Sequence, residues 1–204
     1  MSRRLSKKRG AKPKYKKFHV LLTLLLLDEF GPIGRYTLSE YLGLSEASTR
    51  SILKRLNEAG ISHSPGQSSG RQGNWLSTKG IELVKKLKSH VQLVRVRICN
   101  IFPEFEWGIL IRHAGKLVKD GIRQRDEAVR AGATGAVTLI YRDSSWIFPE
   151  TGAEVTVLGF DDPHEEDVLI IAFDENNHSL FYGSMAAAYN LIHRPTLVFI
   201  EGQL

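Results

Sequence analysis

Apolar positions along the chain fall into runs of different period, and each period predicts an element. Residues Phe18 to Phe30 are apolar on nearly every side, which predicts a helix buried all round. From Glu46 to Glu58 the period becomes that of an amphipathic helix. At about 100° per residue, Thr49, Ile52, Leu53 and Leu56 share one side, while Ala47, Arg50, Ser51, Lys54 and Arg55 face away. Between these, Leu38 to Leu42 reads as a short helix with Thr37 as its cap, Glu40 completing a reciprocal capping box, and Gly43 as its stop. Leu44 plugs the turn, Ser45 caps the longer helix, and Gly60 ends it.

The next stretch alternates strand, loop, strand. Ile61 to Ser64 and Asn74 to Ser77 flank a segment with three glycines and no apolar residue, which predicts a hairpin with a flexible tip carrying Arg71 and Gln72. Thr78 then caps a helix from Lys79 to Ser89, with Ile81, Val84 and Leu87 inward and Lys85, Lys86 and Lys88 in solvent. A domain boundary is expected near Ser89-His90. Beyond it, Val91 to Cys99, Trp107 to Arg112, Ala136 to Tyr141, Val155 to Phe160, Val168 to Phe173 and Thr196 to Ile200 read as strands. Lys116 to Ala131 reads as a helix with Leu117, Ile122, Ala128 and Val129 inward and Gly121 as a weak point, and Leu180 to Ile192 as another. The predicted fold class is α+β: a winged helix-turn-helix domain over 18–89, preceded by a basic tail over 1–17 and followed by a small α/β domain over 90–204.

Residues 37 to 61, Thr-Leu-Ser-Glu-Tyr-Leu-Gly-Leu-Ser-Glu-Ala-Ser-Thr-Arg-Ser-Ile-Leu-Lys-Arg-Leu-Asn-Glu-Ala-Gly-Ile, resemble the winged-helix domains of prokaryotic transcription regulators, MarR-like and archaeal ones especially. The whole chain also resembles a group of archaeal two-domain regulators, a likeness that brings no ligand with it. What the resemblance implies is binding of double-stranded DNA with the longer helix in the major groove. Ser45, Ala47, Arg50, Ser51, Lys54 and Arg55 then meet bases or phosphates, and Arg71 and Gln72 reach the backbone or the minor groove from the wing. A homodimer follows from the two-fold symmetry of palindromic operators.

Charge sharpens this picture. Residues 1–17 hold nine basic side chains and no acid, residues 18–89 nine against six, and residues 90–204 ten against sixteen, for a net charge of +6. Arg3, Arg4, Lys7, Lys8 and Arg9 lead a tail expected to be disordered when free and to add salt-dependent phosphate contacts. The acidic second half is expected to face away from DNA. A basic stretch running into Val20 to Leu27 imitates a secretory signal, but Asp28, Glu29, Phe30 and Gly31 replace a cleavage site. The run is also far short of the roughly 20 residues a bilayer span needs, so no membrane association is expected. The single cysteine, Cys99, excludes an internal disulfide and fits a reducing, cytoplasmic compartment.

Candidate chemistry in the second half is sparse. Ala131 to Ala136 places its glycines between helix and strand, the reverse of a phosphate-binding fingerprint. Asp161 to Asp167 carries clustered carboxylates in a spacing that matches no calcium loop, and a solvated acidic turn is the simpler reading. No metal ligands, catalytic residues or cofactor are assigned. Arg123, Arg125 and Arg130 offer either an exposed face of paired charges or a face for an anionic effector, and Arg142, Asp143 and Trp146 join two charges to an aromatic, as effector pockets often do, although a plain hairpin turn explains them equally well. An enzyme carrying its own DNA-binding domain, or a protein bound to RNA or the ribosome through its arm, are the alternatives.

Overall fold

The computed structural model describes residues 15–64, 73–175 and 180–204, and its fold is α+β. Expectations placed on Arg3, Arg4, Lys7, Lys8, Arg9, Arg71 and Gln72 lie outside the described residues. Helix α1 (Lys17–Phe30) is buried without a break from Phe18 to Leu27. A helix with no polar face must have neighbours on every side, and α1 has them. Helices α2 (Arg35–Leu42) and α4 (Thr78–Lys88) flank it, and from the second half the helix Phe181–Ala188 and the strand Val91–Ile98 close the remaining side.

Helix α2 turns into α3 (Glu46–Glu58) through Gly43, whose φ of 61° is left-handed. Ser45 Oγ accepts a hydrogen bond from the Ser48 backbone N–H, which fixes the start of α3. Strands β1 (Ser62–His63) and β2 (Trp75–Leu76) pair antiparallel, Ser62 opposite Leu76 and His63 opposite Trp75. Two backbone hydrogen bonds strap their loop end to the segment before α2: Ile33 N–H to Asn74 O at 2.9 Å and Asn74 N–H to Ile33 O at 2.7 Å.

In the second half, strands β3 (Val91–Ile98), β4 (Glu106–Ile111), β5 (Gly135–Arg142), β6 (Ser145–Ile147), β7 (Glu154–Val155), β8 (Val157–Leu158) and β9 (Val168–Phe173) form one sheet in the order β7-β6-β5-β9-β4-β3-β8. Every neighbouring pair is antiparallel. Only Thr156 separates the two edge strands, so residues 154–158 act as one bent strand that pairs with β6 at one end and β3 at the other. The sheet therefore curls almost into a barrel, and Cys99 N–H, bonded to Thr156 O at 2.9 Å, extends the seam. Val94, Val96, Ile98, Phe102, Leu110, Leu139, Trp146, Leu169 and Ile171 fill its interior.

Helices α5 (Ile122–Arg130) and α6 (Phe181–Ala188) cover the outer face of β5, β9 and β4. The last helix, α7 (Arg194–Gly202), lies beside α4. A second apolar cluster runs without interruption from α1 through Leu87 and Val91 to α6, so the helical half and the sheet share one core. Aromatic rings mark the joint. Phe30 meets Trp107 edge-on at 5.1 Å between centroids, and Tyr41 lies 4.7 Å from Phe181.

Several elements depart from the sequence-based expectation. Helix α2 begins at Arg35, so Thr37 lies inside it; no side chain caps that helix, and the expected capping box is absent. Helix α4 is capped by Ser77, which accepts from Gly80 N–H at 3.1 Å, and Ile81 is 54% exposed because Leu83, not Ile81, falls on the inward face with Val84 and Leu87. The stretch expected as one helix over Lys116 to Ala131 divides at Gly121, whose φ of 82° restarts the turn, and Gly115–Leu117 is only a 3-10 turn. That reset turns Leu117, Ile122 and Val129 outward and leaves Gln124 and Ala128 as the buried positions. Val155 to Phe160 is two short strands, Leu180 to Ile192 is a shorter helix followed by a 3-10 turn, and β6 was not anticipated. Thr196 to Ile200 is helical rather than extended. Pro195 sits in its first turn, where its fixed φ suits the start of a helix.

Candidate nucleic-acid interface

Helix α3 presents two faces of opposite character. Thr49, Ile52, Leu53 and Leu56 are buried beneath it, while Ala47, Arg50, Ser51, Lys54 and Arg55 are exposed, together with the capping Ser45. Of these, Arg55 also borders α1 and α7. Ser51 Oγ donates back to Ala47 O at 2.9 Å, and Lys54 lies 3.7 Å from Glu58, one turn on, in an exposed pair that costs little to open.

An acid at the start of such a face would repel phosphate, and Glu46 is that acid. Arg35 on α2 answers it, donating from Nε at 3.1 Å and from Nη2 at 3.0 Å to Glu46 Oε2. The pair leaves the junction of α2 and α3 close to neutral. Arg35 and its neighbour Tyr36, 66% exposed, stand at the first turn of α2 beside this face. A helix starting at Leu38 leaves both outside it; Pro32 and Gly34, which end the preceding segment, mark the earlier start.

Lys79 reaches from α4 to the end of α3, its Nζ donating to Ala59 O at 2.9 Å. Of the three lysines in the last turns of α4, Lys88 pairs with Asp28 at 2.9 Å and Lys86 lies over the Phe199 ring at 4.8 Å. These contacts tie α4 to α1 and α7 and draw two of its lysines into the protein's own surface.

Of the residues suggested for an effector, Arg123 and Arg130 line one open depression of about 650 Å³ along α5, while Arg125 and Trp146 each line a different one. Arg123, Arg125 and Arg130 are exposed on the outer side of α5, Arg130 paired with Glu127 at 2.7 Å. Arg142 is instead held bidentate by Glu166, Nε to Oε1 at 2.9 Å and Nη2 to Oε2 at 3.0 Å. Those hydrogen bonds hold the Glu166 carboxyl below its ordinary range and the guanidinium above its own. Asp143 and Ser144, with φ of 49° and 66°, form the two-residue turn between β5 and β6. Trp146 points into the barrel, 5% exposed, edge-on to Tyr141. The mouth of the barrel near Cys99, Tyr141 and Phe160 holds a shallow, mainly polar depression of about 460 Å³.

The acidic segment is not simply solvated. Asp161 and Asp162 are exposed, but Asp167 is fully buried and serves as an internal anchor. It accepts from Arg112 Nη1 at 2.7 Å, His164 N–H at 2.9 Å and His113 N–H at 3.1 Å. Among the described residues no group of three or more His, Cys, Asp or Glu side chains is placed to hold a metal ion. No described helix is long and apolar enough to cross a membrane.

Comparison with known proteins bears on the second half first. A family model described as a domain of unknown function (DUF4443) matches residues 102–191, which hold strands β4 to β9 with α5 and α6. A search of curated proteins gave no match. Among solved structures, the hypothetical protein PH0730 from Pyrococcus horikoshii OT3 is similar with a TM-score of 0.69 and 26% sequence identity, covering 92% of this chain and 100% of that one. The likeness thus spans the helical half as well as the sheet, and its source is an archaeon.

Proposed function

We propose that the chain is a double-stranded-DNA-binding transcription regulator of the winged helix-turn-helix kind, acting as a homodimer in the cytoplasm. The observation that carries this reading is the outer face of α3. Arg50, Ser51, Lys54 and Arg55 stand exposed on a helix whose other side is locked into the core, behind a tight turn at Gly43 and ahead of a strapped β1–β2 hairpin. A rigid helix of this kind can enter a major groove, where Arg and Ser meet bases or phosphates. The Arg35–Glu46 pair supports the reading because it removes the repulsive charge at the helix start.

The shared core gives the second half a role as well. A helical unit packed onto the sheet through Phe30, Tyr41, Trp107 and Phe181 moves with it, so events at the sheet or at α7 can reach α3. We assign residues 90–204 to effector binding or dimerisation on that ground.

Selection of bound fragments from genomic DNA tests the proposal. The wild type is expected to enrich a recurring sequence with two half-sites, and Arg50→Ala with Lys54→Ala is expected to lose that choice. Enrichment that is unchanged in the double variant would move sequence reading away from α3.

A further inference from the structure

A cavity of about 280 Å³ opens where α1, the end of α3 and α7 meet. Its floor is apolar, built by Val20 and Leu21 of α1 and by Leu197 and Ile200 of α7. Its rim is charged, with Lys17, Arg55 and Glu201. Lys17 and Glu201 satisfy each other, Nζ to Oε1 at 2.7 Å. Among the described residues Arg55 forms no ion pair; Tyr15 and Leu204 complete the lining. Tyr189 adds a phenol that burial holds above its ordinary pKa, leaving a neutral O–H able to donate.

Apolar walls, one free guanidinium and a neutral hydroxyl define a ligand class. We propose that this cavity binds a small amphipathic monoanion, an apolar body ending in a carboxylate, with the carboxylate on Arg55 and the body against Val20, Leu21, Leu197 and Ile200. The volume lies just below the range for small-molecule sites, about 300 to 1,000 Å³, which suits a short aliphatic or single-ring acid. Arg55 belongs to the same exposed face of α3 as Arg50, Ser51 and Lys54. A ligand that holds Arg55 withdraws a cation from that face and lowers affinity for duplex DNA. This consequence rests on the DNA-binding reading; the cavity and its ligand class do not.

The test separates the two. Octanoate, 1-octanol and octylammonium are titrated calorimetrically into the intact protein without DNA. Octanoate is expected to bind one to one and about ten- to a hundredfold tighter than 1-octanol, the range of a charge-assisted hydrogen bond, with octylammonium weakest. Arg55→Met is expected to bring octanoate down to 1-octanol while leaving 1-octanol unchanged, and Leu197→Trp, filling the cavity from its floor, to abolish both. Octanoate no tighter than 1-octanol in the wild type, or unaffected by Arg55→Met, overturns the proposal, and the wild-type comparison stands whether or not the variants fold. Duplex affinity is then measured with and without saturating octanoate, with a loss of at least about fivefold expected. Octanoate that binds without changing duplex affinity overturns the coupling. A protein that binds octanoate as stated but no duplex at all overturns the DNA reading and leaves the cavity assignment standing.

Discussion

Asp167, with no exposed surface, lies 2.7 Å from Nη1 of Arg112, whose side chain is itself 10% exposed. The two residues join the end of β4 to the start of β9, and the same carboxylate takes the backbone N–H groups of His113 and His164. Removing one member strands a charge in the interior. Asp167→Ala is therefore expected to cost about 3 to 5 kcal/mol, read from urea unfolding, whereas Asp167→Leu with Arg112→Met recovers much of that loss. A single variant within 1 kcal/mol of wild type, by the usual scale of an exposed pair, would show that the network is not structural.

His19 provides a pH dependence. Burial in α1 lowers its pKa to about 4, and its Nδ1 accepts from Lys16 N–H at 2.9 Å, which only the neutral ring can do. The folded value lies below the unfolded one of about 6.5, so the unfolded chain binds the extra proton between these values. Stability is complete above the upper value and falls as pH drops through the window, by about 2 kcal/mol between pH 7 and pH 5. Unfolding measured across this range should lose that component in His19→Gln, and an equal slope in the variant would assign the acid sensitivity elsewhere.

Gly43 is where the turn between α2 and α3 meets the second half. Its φ of 61° disfavours any side chain, and a Cβ there would lie 2.8 Å from the Tyr182 ring on α6. Gly43→Ala is expected to destabilise by about 1 to 3 kcal/mol. Tyr182→Ala should relieve the steric part only, leaving the backbone penalty, and thermal melts of the single and double variants separate the two. Full rescue would mean that backbone conformation at 43 carries no cost.

What could be read from the sequence was local and periodic. The buried and exposed positions of α3 follow from its helical repeat, and β9 over Val168–Phe173 follows from an uninterrupted apolar run. The places where reading failed depend on distant partners. Thr-Leu-Val-Phe-Ile at 196–200 is rich in strand formers, but it forms a helix that has Pro195 in its first turn and lies beside α4. Leu117, Ile122 and Val129 look inward only if the helix runs unbroken through Gly121, and its left-handed backbone resets the phase. The cavity beside Arg55 could not be seen at all, since Lys17, Arg55 and Glu201 come from three segments far apart in the chain.

The exposed cations of α3 carry the central claim, and the salt dependence of duplex binding measures them most directly. Fluorescence anisotropy with a labelled duplex, from about 50 to 200 mM salt, gives a slope of log affinity against log salt in which each lost phosphate contact removes about 0.9. Arg50→Ala with Lys54→Ala is expected to weaken binding at every salt concentration and to flatten the slope by about 1 to 2. An affinity and a slope both equal to those of wild type would contradict the account.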